Sequence, residues 1–150
     1  MSPGANVLQG HVMQEPAIDR LLEQRGIGVL SLASDGVPYG IPLSFGYDGE
    51  DRLYFLFAGH SEDGRKVRYA EGSEEASFLT FDVASEGEWR SAIVRGPFER
   101  ITPNEWETAR EAMADNAYRP DLLVDVDVEG DPRVWVLEAA EKSGRAVGGT

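Results

Sequence analysis

The sequence predicts a mainly β protein, a small antiparallel barrel with helical caps. Short β-rich runs recur along the chain between turn residues, and only two or three segments have helical patterning. No internal repeat, long linker or low-complexity tract divides the 150 residues, and a chain of this length matches one domain with one core. We therefore expect a single domain over residues 15–150, preceded by a flexible tail over residues 1–14.

The first predicted element is a helix over residues 16–25. Pro16 suits a first helical turn, and Gly26 follows the last residue as a stop signal. Its apolar residues Ile18, Leu21 and Leu22 fall on one face. We expect this helix to cover one edge of the sheet.

The next predicted elements form an antiparallel meander interrupted by a short helix. Four β-rich runs predict strands over residues 27–33, 39–45, 53–57 and 76–83. The runs are separated by turn signals such as Ser34-Asp35-Gly36. The helix is predicted over residues 62–70, begun by Ser61 and ended by Gly72.

The second half of the chain begins with a long alternating run over residues 89–101. It predicts a strand that bends at Gly96-Pro97, since proline favours edges and bulges. A helix to about residue 116 should follow. Residues 134–139 predict a last strand, and residues 123–128 are consistent with either a strand or an acidic loop.

The start of that later helix carries the clearest capping signal. Thr102 suits the N-cap, Pro103 the first helical position, and Glu105 the partner of a capping box. Ile101 and Trp106 have the spacing of a hydrophobic staple.

Charge and composition argue against several function classes. The chain has 27 acidic and 14 basic residues, a net charge of −13, so its field repels nucleic acid and anionic membranes. It contains no cysteine, and its two histidines, His11 and His60, are far apart, so we expect no metal site and no Ser-His-Asp triad. The start lacks a secretory signal and no apolar run approaches ~20 residues, so we expect a cytoplasmic protein.

The excess of carboxylates has two interpretations. One is ordinary acidic composition. The other, which we adopt as a hypothesis, is adaptation to high salt, where carboxylates keep a protein soluble while their mutual repulsion is screened.

The predicted strand over residues 39–45 has one packed and one bare face. Tyr39, Ile41, Leu43 and Phe45 alternate with small or rigid residues. The bare face consists of Gly40, Pro42 and Ser44. Such a face suits a flat ligand that lies against the backbone, but this segment alone favours a solvent-exposed edge strand.

A basic cluster lies at the start of the predicted short helix. Arg65, Lys66 and Arg68 fall within four residues of an otherwise acidic chain. Cations and helix-terminal N–H groups together bind a phosphate dianion. The alternative is a solvated helix face balanced by Glu62 and Asp63, and the segment itself does not decide between the two.

The bare-faced strand and the basic cluster follow each other in the chain, and similar short motifs lie before and after them. Together these segments resemble the FMN-binding split-barrel superfamily of pyridoxamine-phosphate-oxidase type, particularly its short members related to nitroimidazole-resistance proteins. The matching pieces are residues 28–32 (GVLSL), 35–45 (DGVPYGIPLSF), 53–55 (LYF), 64–66 (GRK), 89–91 (WRS) with Gly96, and 143–145 (SGR). The resemblance covers almost the whole chain, from about Glu15 to Gly148.

The resemblance implies a split β-barrel, antiparallel, Greek-key-like and six-stranded, that works as a homodimer. Flavin would lie in a groove at the subunit interface, with Arg65 and Lys66 holding the phosphate. The other implied contacts lie on the bare-faced strand, before the short helix and on a later strand of either subunit: Pro42, Leu43, Ser44, Phe45, His60, Ser61, Trp89 and Ser91.

Two departures limit what the resemblance implies about activity. Nitroimidazole-resistance relatives place a histidine soon after the LYF strand, where this chain has Leu56-Phe57-Ala58. True pyridoxamine phosphate oxidases are longer and end in an Arg- and Pro-containing substrate motif, so no vitamin B6 site is expected.

We expect an FMN-dependent oxidoreductase that acts on an unidentified small molecule and for which no side-chain base is required. The alternatives are a non-catalytic flavin store, carrier or sensor, and the same fold with F420 or haem as its ligand.

Overall fold

The computed structural model describes residues 10–57, 64–116 and 133–148. Within them the chain forms three α-helices and nine strands. The helices are α1 Glu15–Arg25, α2 Arg65–Gly72 and α3 Trp106–Asn116, the last preceded by a 3-10 turn over Pro103–Glu105. The strands are β1 His11–Val12, β2 Ile27–Ser34, β3 Val37–Ser44, β4 Gly46–Tyr47, β5 Arg52–Leu56, β6 Glu75–Ser85, β7 Glu88–Arg100, β8 Val134–Glu138 and β9 Glu141–Val147.

The strands form one curled antiparallel sheet in the order β3-β2-β6-β7-β8-β5-β4, with β9 also paired to β7 and β1 paired to β9. The predicted mainly β, split-barrel class is confirmed. The number of strands differs from the six expected, because the short pairings of β1 and β4 and the separate strand β9 add to the count.

The sheet divides at Gly96 of β7. Before this residue β7 pairs with β9 as far as Arg95↔Glu141, and after it β7 pairs with β8 from Phe98↔Leu137. The turn between β8 and β9 is packed against Gly96 so closely that a Cβ there would overlap the carbonyl oxygen of Glu138. The bend predicted at Gly96-Pro97 is therefore the place where one strand serves both halves of the barrel.

The larger core lies inside the curled sheet and is closed by α1 and α2. Helix α1 buries Ile18, Leu21 and Leu22, as its apolar spacing predicts. It ends at Gly26, whose φ of 67° is the left-handed conformation that glycine adopts without strain. The prediction of this helix is confirmed to within one residue.

A smaller core lies between β5, β8 and helix α3. Trp106 and Met113 of α3 are buried in it together with Tyr54 of β5. The predicted start of this helix is present, since the amide of Thr102 donates to Oε1 of Glu105 at 3.2 Å. The capping box forms around a single 3-10 turn before the α-helix proper.

Several predicted boundaries differ from the structure. His11–Val12, assigned to the flexible tail, pairs with β9, and Met13 is buried because its side chain packs into the core. Helix α2 is described from Arg65, with Gly64 at its N-cap, and it extends through Gly72. Residues 58–63, which include the predicted helix start at Ser61, lie outside the described residues, as do residues 117–132 with the undecided acidic segment.

Strand β9 was not predicted. Its sequence, EKSGRAV, is too polar and glycine-containing to suggest a strand, yet it pairs with β7 over seven residues, from Trp89↔Val147 to Arg95↔Glu141. Over the described residues, no helix has the length and apolar character needed to cross a bilayer.

Candidate functional site

One face of the sheet points away from the core and runs across β3, β2, β6, β7, β9 and β1. We call it the outer face. Strand alternation and the pairing register place a row of side chains side by side on it. That row contains Ser44, Ile27, Phe81, Ser91, Arg145 and Val12.

The outer face is apolar and open. Its large hydrophobic side chains are exposed to an unusual degree: 50% for Phe81, 63% for Val83, 61% for Val12 and 43% for Ile93. Exposed side chains of this size in one patch mark a ligand or protein contact surface. The face is therefore a candidate binding surface.

The outer face is also free of carboxylates over its central positions, although the chain has 27 acidic residues. On each strand these positions are occupied only by apolar residues, small polar residues and one arginine. They are residues 38, 40, 42 and 44 on β3, 27, 29, 31 and 33 on β2, 77, 79, 81 and 83 on β6, 89, 91 and 93 on β7, 143, 145 and 147 on β9, and 12 on β1. The centre of the face therefore presents no carboxylate that would repel an anionic ligand.

Four of the residues implied by the family resemblance share this face. Pro42 and Ser44 lie on β3, while Trp89 and Ser91 lie on β7. Pro42 is exposed and the other three are half-buried. The fold therefore brings together residues that are about 50 positions apart in the sequence.

The two remaining residues of the β3 segment point the other way. Phe45 is fully buried, and its ring centroid lies 4.6 Å from that of Phe78 in the core. Leu43 packs against the same core. Only the backbone of these two residues is available to a ligand on the outer face.

A depression of about 390 Å³ lies on the β1, β7 and β9 side of the outer face. Its volume is in the range of small-molecule sites, roughly 300–1,000 Å³. Ser91, Ile93 and Arg145 line it together with Val12, and Gly144 lies at its base. Both an apolar floor and hydrogen-bonding groups are present here.

The basic cluster begins helix α2, beside the edge strand β3. Tyr69 of α2 contacts Tyr39 of β3, with ring centroids 4.8 Å apart. Arg65 lies one helical turn before Tyr69, so it belongs to the same side of the helix. Arg65 is exposed and Lys66 half-buried. The implied phosphate contacts at His60 and Ser61 lie outside the described residues.

Arg145 lines the candidate site but is not among the residues that the sequence implied for it. It lies directly opposite Ser91 on the neighbouring strand and opposite Val12 on the other side. The segment Ser143-Gly144-Arg145 was noted only as a part of the resemblance. Its alternation, with Gly144 inward and its two neighbours outward, was the signal that a strand and a site residue were present.

In residues 10–57, 64–116 and 133–148, no group of three or more His, Asp or Glu side chains is placed to hold a metal ion.

A family model for pyridoxamine 5'-phosphate oxidase matches residues 14–146. The chain belongs to this family. The match covers the outer-face strands from β2 to β9 and the basic start of α2. No functionally curated protein matches the chain.

Solved structures share the fold of this pyridoxamine 5'-phosphate oxidase family member. A FAD-binding protein from Mesorhizobium loti superposes with a TM-score of 0.71 at 19% identity, over 91% of this chain and 97% of that one. A candidate 5-nitroimidazole antibiotic resistance protein from Bacteroides thetaiotaomicron has a TM-score of 0.68 at 19% identity, over 92% and 87% of the two chains. A FAD and haem binding protein from Mycobacterium smegmatis has a TM-score of 0.65 at 19% identity, over 91% and 72%.

The residues of this family member fit a flavin. The exposed hydrophobic side chains of Phe81 and Ile93 provide an apolar surface for a flat aromatic ring. The hydroxyls of Ser44 and Ser91 and the guanidinium of Arg145 provide polar groups on the same face. The cations at the start of α2 are of the type that forms charge-assisted hydrogen bonds with a phosphate.

Proposed function

We propose that this protein binds FMN against its outer face as a homodimer and acts as a flavin-dependent oxidoreductase on a small molecule. One observation carries the proposal: Pro42, Ser44, Trp89 and Ser91 share an apolar face whose central positions carry no carboxylate, in a chain of net charge −13. When bound, FMN supplies hydride and electron transfer. The residues of the chain bind it, orient it and keep water from one side of its ring.

The separation of Ser44 and Ser91 supports a shared site. These residues lie on strands β3 and β7, which are three strand spacings apart in the order β3-β2-β6-β7. At about 4.8 Å a spacing this is roughly 14 Å, which exceeds the length of a fused three-ring system. A single ring contacts the β3 residue Ser44 and the β7 residues together when Ser91 and Trp89 come from a second subunit.

The size and character of the outer face support the same arrangement. Six adjacent strands contribute to it, so it is roughly 24 Å wide across the strands. A stable interface buries about 800 Å² on each partner and is apolar at its centre. A flavin covers only a part of such a surface, and a second copy of the chain covers the rest.

The basic start of α2 is proposed to hold the phosphate. Arg65 is exposed, and none of the described residues forms an ion pair with it. Its helix packs beside β3, the strand that carries Pro42 and Ser44. Arg65 and Lys66 together would provide charge-assisted hydrogen bonds to a dianion at the edge of the outer face.

The proposal is tested by titrating the purified protein with FMN and riboflavin at one fixed salt concentration. Replacement of Arg65 or Lys66 by Ala removes a charge-assisted hydrogen bond worth about 1.5–3 kcal/mol, so FMN should bind roughly ten- to a hundredfold more weakly. Riboflavin lacks the phosphate and should bind as it does to the wild type. Arg110→Ala, which removes an exposed cation from a different helix, α3, is the matched control and should retain FMN.

Equal FMN affinity in wild type, Arg65→Ala and Lys66→Ala would show that the cluster is only a solvated surface. A visible spectrum of the protein as purified distinguishes flavin from haem or F420. Turnover of NADH or NADPH with a panel of acceptors then separates an oxidoreductase from a flavin store, carrier or sensor. FAD belongs in the same titrations, since proteins of this fold bind it.

A further inference from the structure

We propose that Arg145 contacts the pyrimidine edge of a flavin ring bound at the outer face and stabilises the negative charge of the reduced flavin. This inference rests on the proposed function, because it names a further residue of the same site. Three observations support it: the position of Arg145 in the fold, its lack of a counter-ion, and the chemistry of its side chain.

The position of Arg145 is next to the residues already assigned to the ring. It pairs across the ladder with Ser91, about 4.8 Å away on the adjacent strand. Both line the same depression of about 390 Å³, which has Ile93 and Val12 on its apolar sides. Whatever lies over Ser91 therefore lies within reach of the long side chain of Arg145.

The guanidinium of Arg145 has no carboxylate partner among residues 10–57, 64–116 and 133–148. This contrasts with Arg95, which projects from the same face one strand away and pairs with Glu141 at 3.4 Å. In a chain with 27 acidic residues, an arginine that has serine and valine neighbours and no counter-ion among the described residues is well placed for an anionic ligand.

The chemistry of the arginine selects one end of the flavin. Guanidinium has five N–H donors and no acceptor. The pyrimidine end of the ring carries carbonyl oxygens and ring nitrogens that accept hydrogen bonds, whereas the dimethylbenzene end carries only methyl groups. Reduction places negative charge on the pyrimidine end, and a cation that the bound ring and the second subunit shield from water would stabilise that charge more strongly than one in bulk water.

The phosphate is a less suitable partner for Arg145 in the proposed shared site. The phosphate cations Arg65 and Lys66 lie beside β3 and belong to the subunit that contributes Pro42 and Ser44, whereas Arg145 lies next to Ser91 on the other subunit. Arg145 instead accompanies Ser91 and Trp89, the side of the outer face that the shared-site model assigns to the ring.

The test compares Arg145→Gln, Arg145→Lys and the control Arg95→Gln as FMN-bound proteins. Each is titrated with FMN and with riboflavin, and the midpoint potential of the bound flavin is measured against reference dyes. Arg145→Gln should weaken FMN and riboflavin by the same factor, about tenfold for one lost hydrogen bond to a charged group. Reduced flavin should lose about tenfold more affinity than oxidised flavin, which lowers the midpoint potential by about 30 mV for a two-electron couple.

Two results would support a role of Arg145 in stabilising charge on the ring. Arg145→Lys should keep most of the wild-type midpoint potential, and Arg95→Gln should have the wild-type affinity and potential. A loss confined to FMN would mean that Arg145 contacts phosphate, and an unchanged affinity and potential would mean that it faces substrate or solvent. Either result overturns the inference while the proposed function stands. A wild-type protein that binds neither flavin overturns both. Arg145 is exposed, so the variants should fold, and their melting temperatures verify this.

Discussion

Lys142 on the last strand donates from Nζ to Oδ1 of Asp19 on the first helix at 2.9 Å, although 123 residues separate them in the sequence. The same Nζ lies 3.1 Å from Oε1 of Glu15 and 2.8 Å from the carbonyl oxygen of Glu50. The hydroxyl of Tyr47 donates to Asp19 at 2.7 Å. This network connects α1 to both halves of the sheet. Only 10% of the Lys142 side chain is exposed.

Replacement of Lys142 by Met should therefore destabilise the protein. It leaves the partly buried carboxylate of Asp19 without its cation, at an expected cost of about 1–3 kcal/mol because Glu15 is largely solvated. Urea denaturation measures the change. Arg95→Met removes the well-exposed pair with Glu141 and should cost no more than about 1 kcal/mol. Equal effects of the two substitutions would contradict a structural role for the Lys142 network.

The pH dependence of that contribution has a definite sign. Burial lowers the pKa of Lys142, but hydrogen bonds to Asp19, Glu15 and Tyr47 outweigh it, so the pKa lies above its ordinary value of 10.5. A raised lysine pKa contributes stability that is complete below the unfolded value and is lost as the pH rises beyond it. The stability difference between wild type and Lys142→Met should stay constant between about pH 6 and 9 and shrink only in more alkaline solution.

Gly96→Ala should destabilise the corner where the sheet divides. The added Cβ overlaps the carbonyl oxygen of Glu138 and lies 2.8 Å from the amide nitrogen of Ala140, and both are backbone atoms that cannot rotate away. We expect a loss of about 1–3 kcal/mol or more in chemical denaturation. Gly87→Ala is the matched control, since a Cβ there has nothing within 4 Å. Wild-type stability of Gly96→Ala would mean that this corner is less tightly packed than described.

The two faces of β3 should respond differently to substitution. Ser44→Leu fills space on the outer face and should weaken FMN binding while leaving the free energy of unfolding nearly unchanged. Leu43→Ala removes a side chain that packs against the core and should lower stability by about 1–3 kcal/mol, less than for a fully buried leucine. FMN titration and urea denaturation of both variants measure these effects. Unaltered stability in Leu43→Ala with full FMN binding in Ser44→Leu would reverse the assignment of faces.

Phe81→Asp should disrupt the proposed homodimer. It places a carboxylate in the apolar outer face, where Phe81 is 50% exposed in one subunit, and a buried unpaired charge is costly. Light scattering at low micromolar concentration should show a dimer for wild type and a monomer for the variant. Val37→Asp adds the same charge at an exposed valine on the opposite side of β3 and should stay dimeric.

Because both subunits are acidic, wild-type association should strengthen as salt screens their repulsion. A wild-type monomer with FMN bound at full stoichiometry would rule out the shared site.

The hypothesis of adaptation to high salt makes a separate prediction. Screening of 27 carboxylates against 14 basic residues should raise the melting temperature, or hold it steady, as KCl is added to molar concentration. Differential scanning calorimetry over a KCl series measures the trend. A steady fall in melting temperature would leave ordinary acidic composition as the better explanation.

Several features of this protein follow from its sequence alone, because neighbouring residues decide them. Pro16 and Gly26 delimit α1, and Thr102 with Glu105 begins the later helix, since these are contacts within one or two turns of chain. The bare face of β3 at Gly40, Pro42 and Ser44 follows from the two-residue period of a strand. The family resemblance rests on short motifs in a fixed order along the chain, and the role of Arg65 and Lys66 at a phosphate, which the resemblance implies, stays a prediction.

Only the tertiary structure decided which of these features lie together. Strand β9 forms because its backbone pairs with that of β7, although its own residues have weak strand preference. That pairing brings Arg145 opposite Ser91 and closes the depression between them. The pairings of β2 with β3, of β2 with β6 and of β6 with β7 place β3 and β7 on one outer face. Contacts between residues 50 or more positions apart depend on strand order and register, and no local pattern in the chain encodes them.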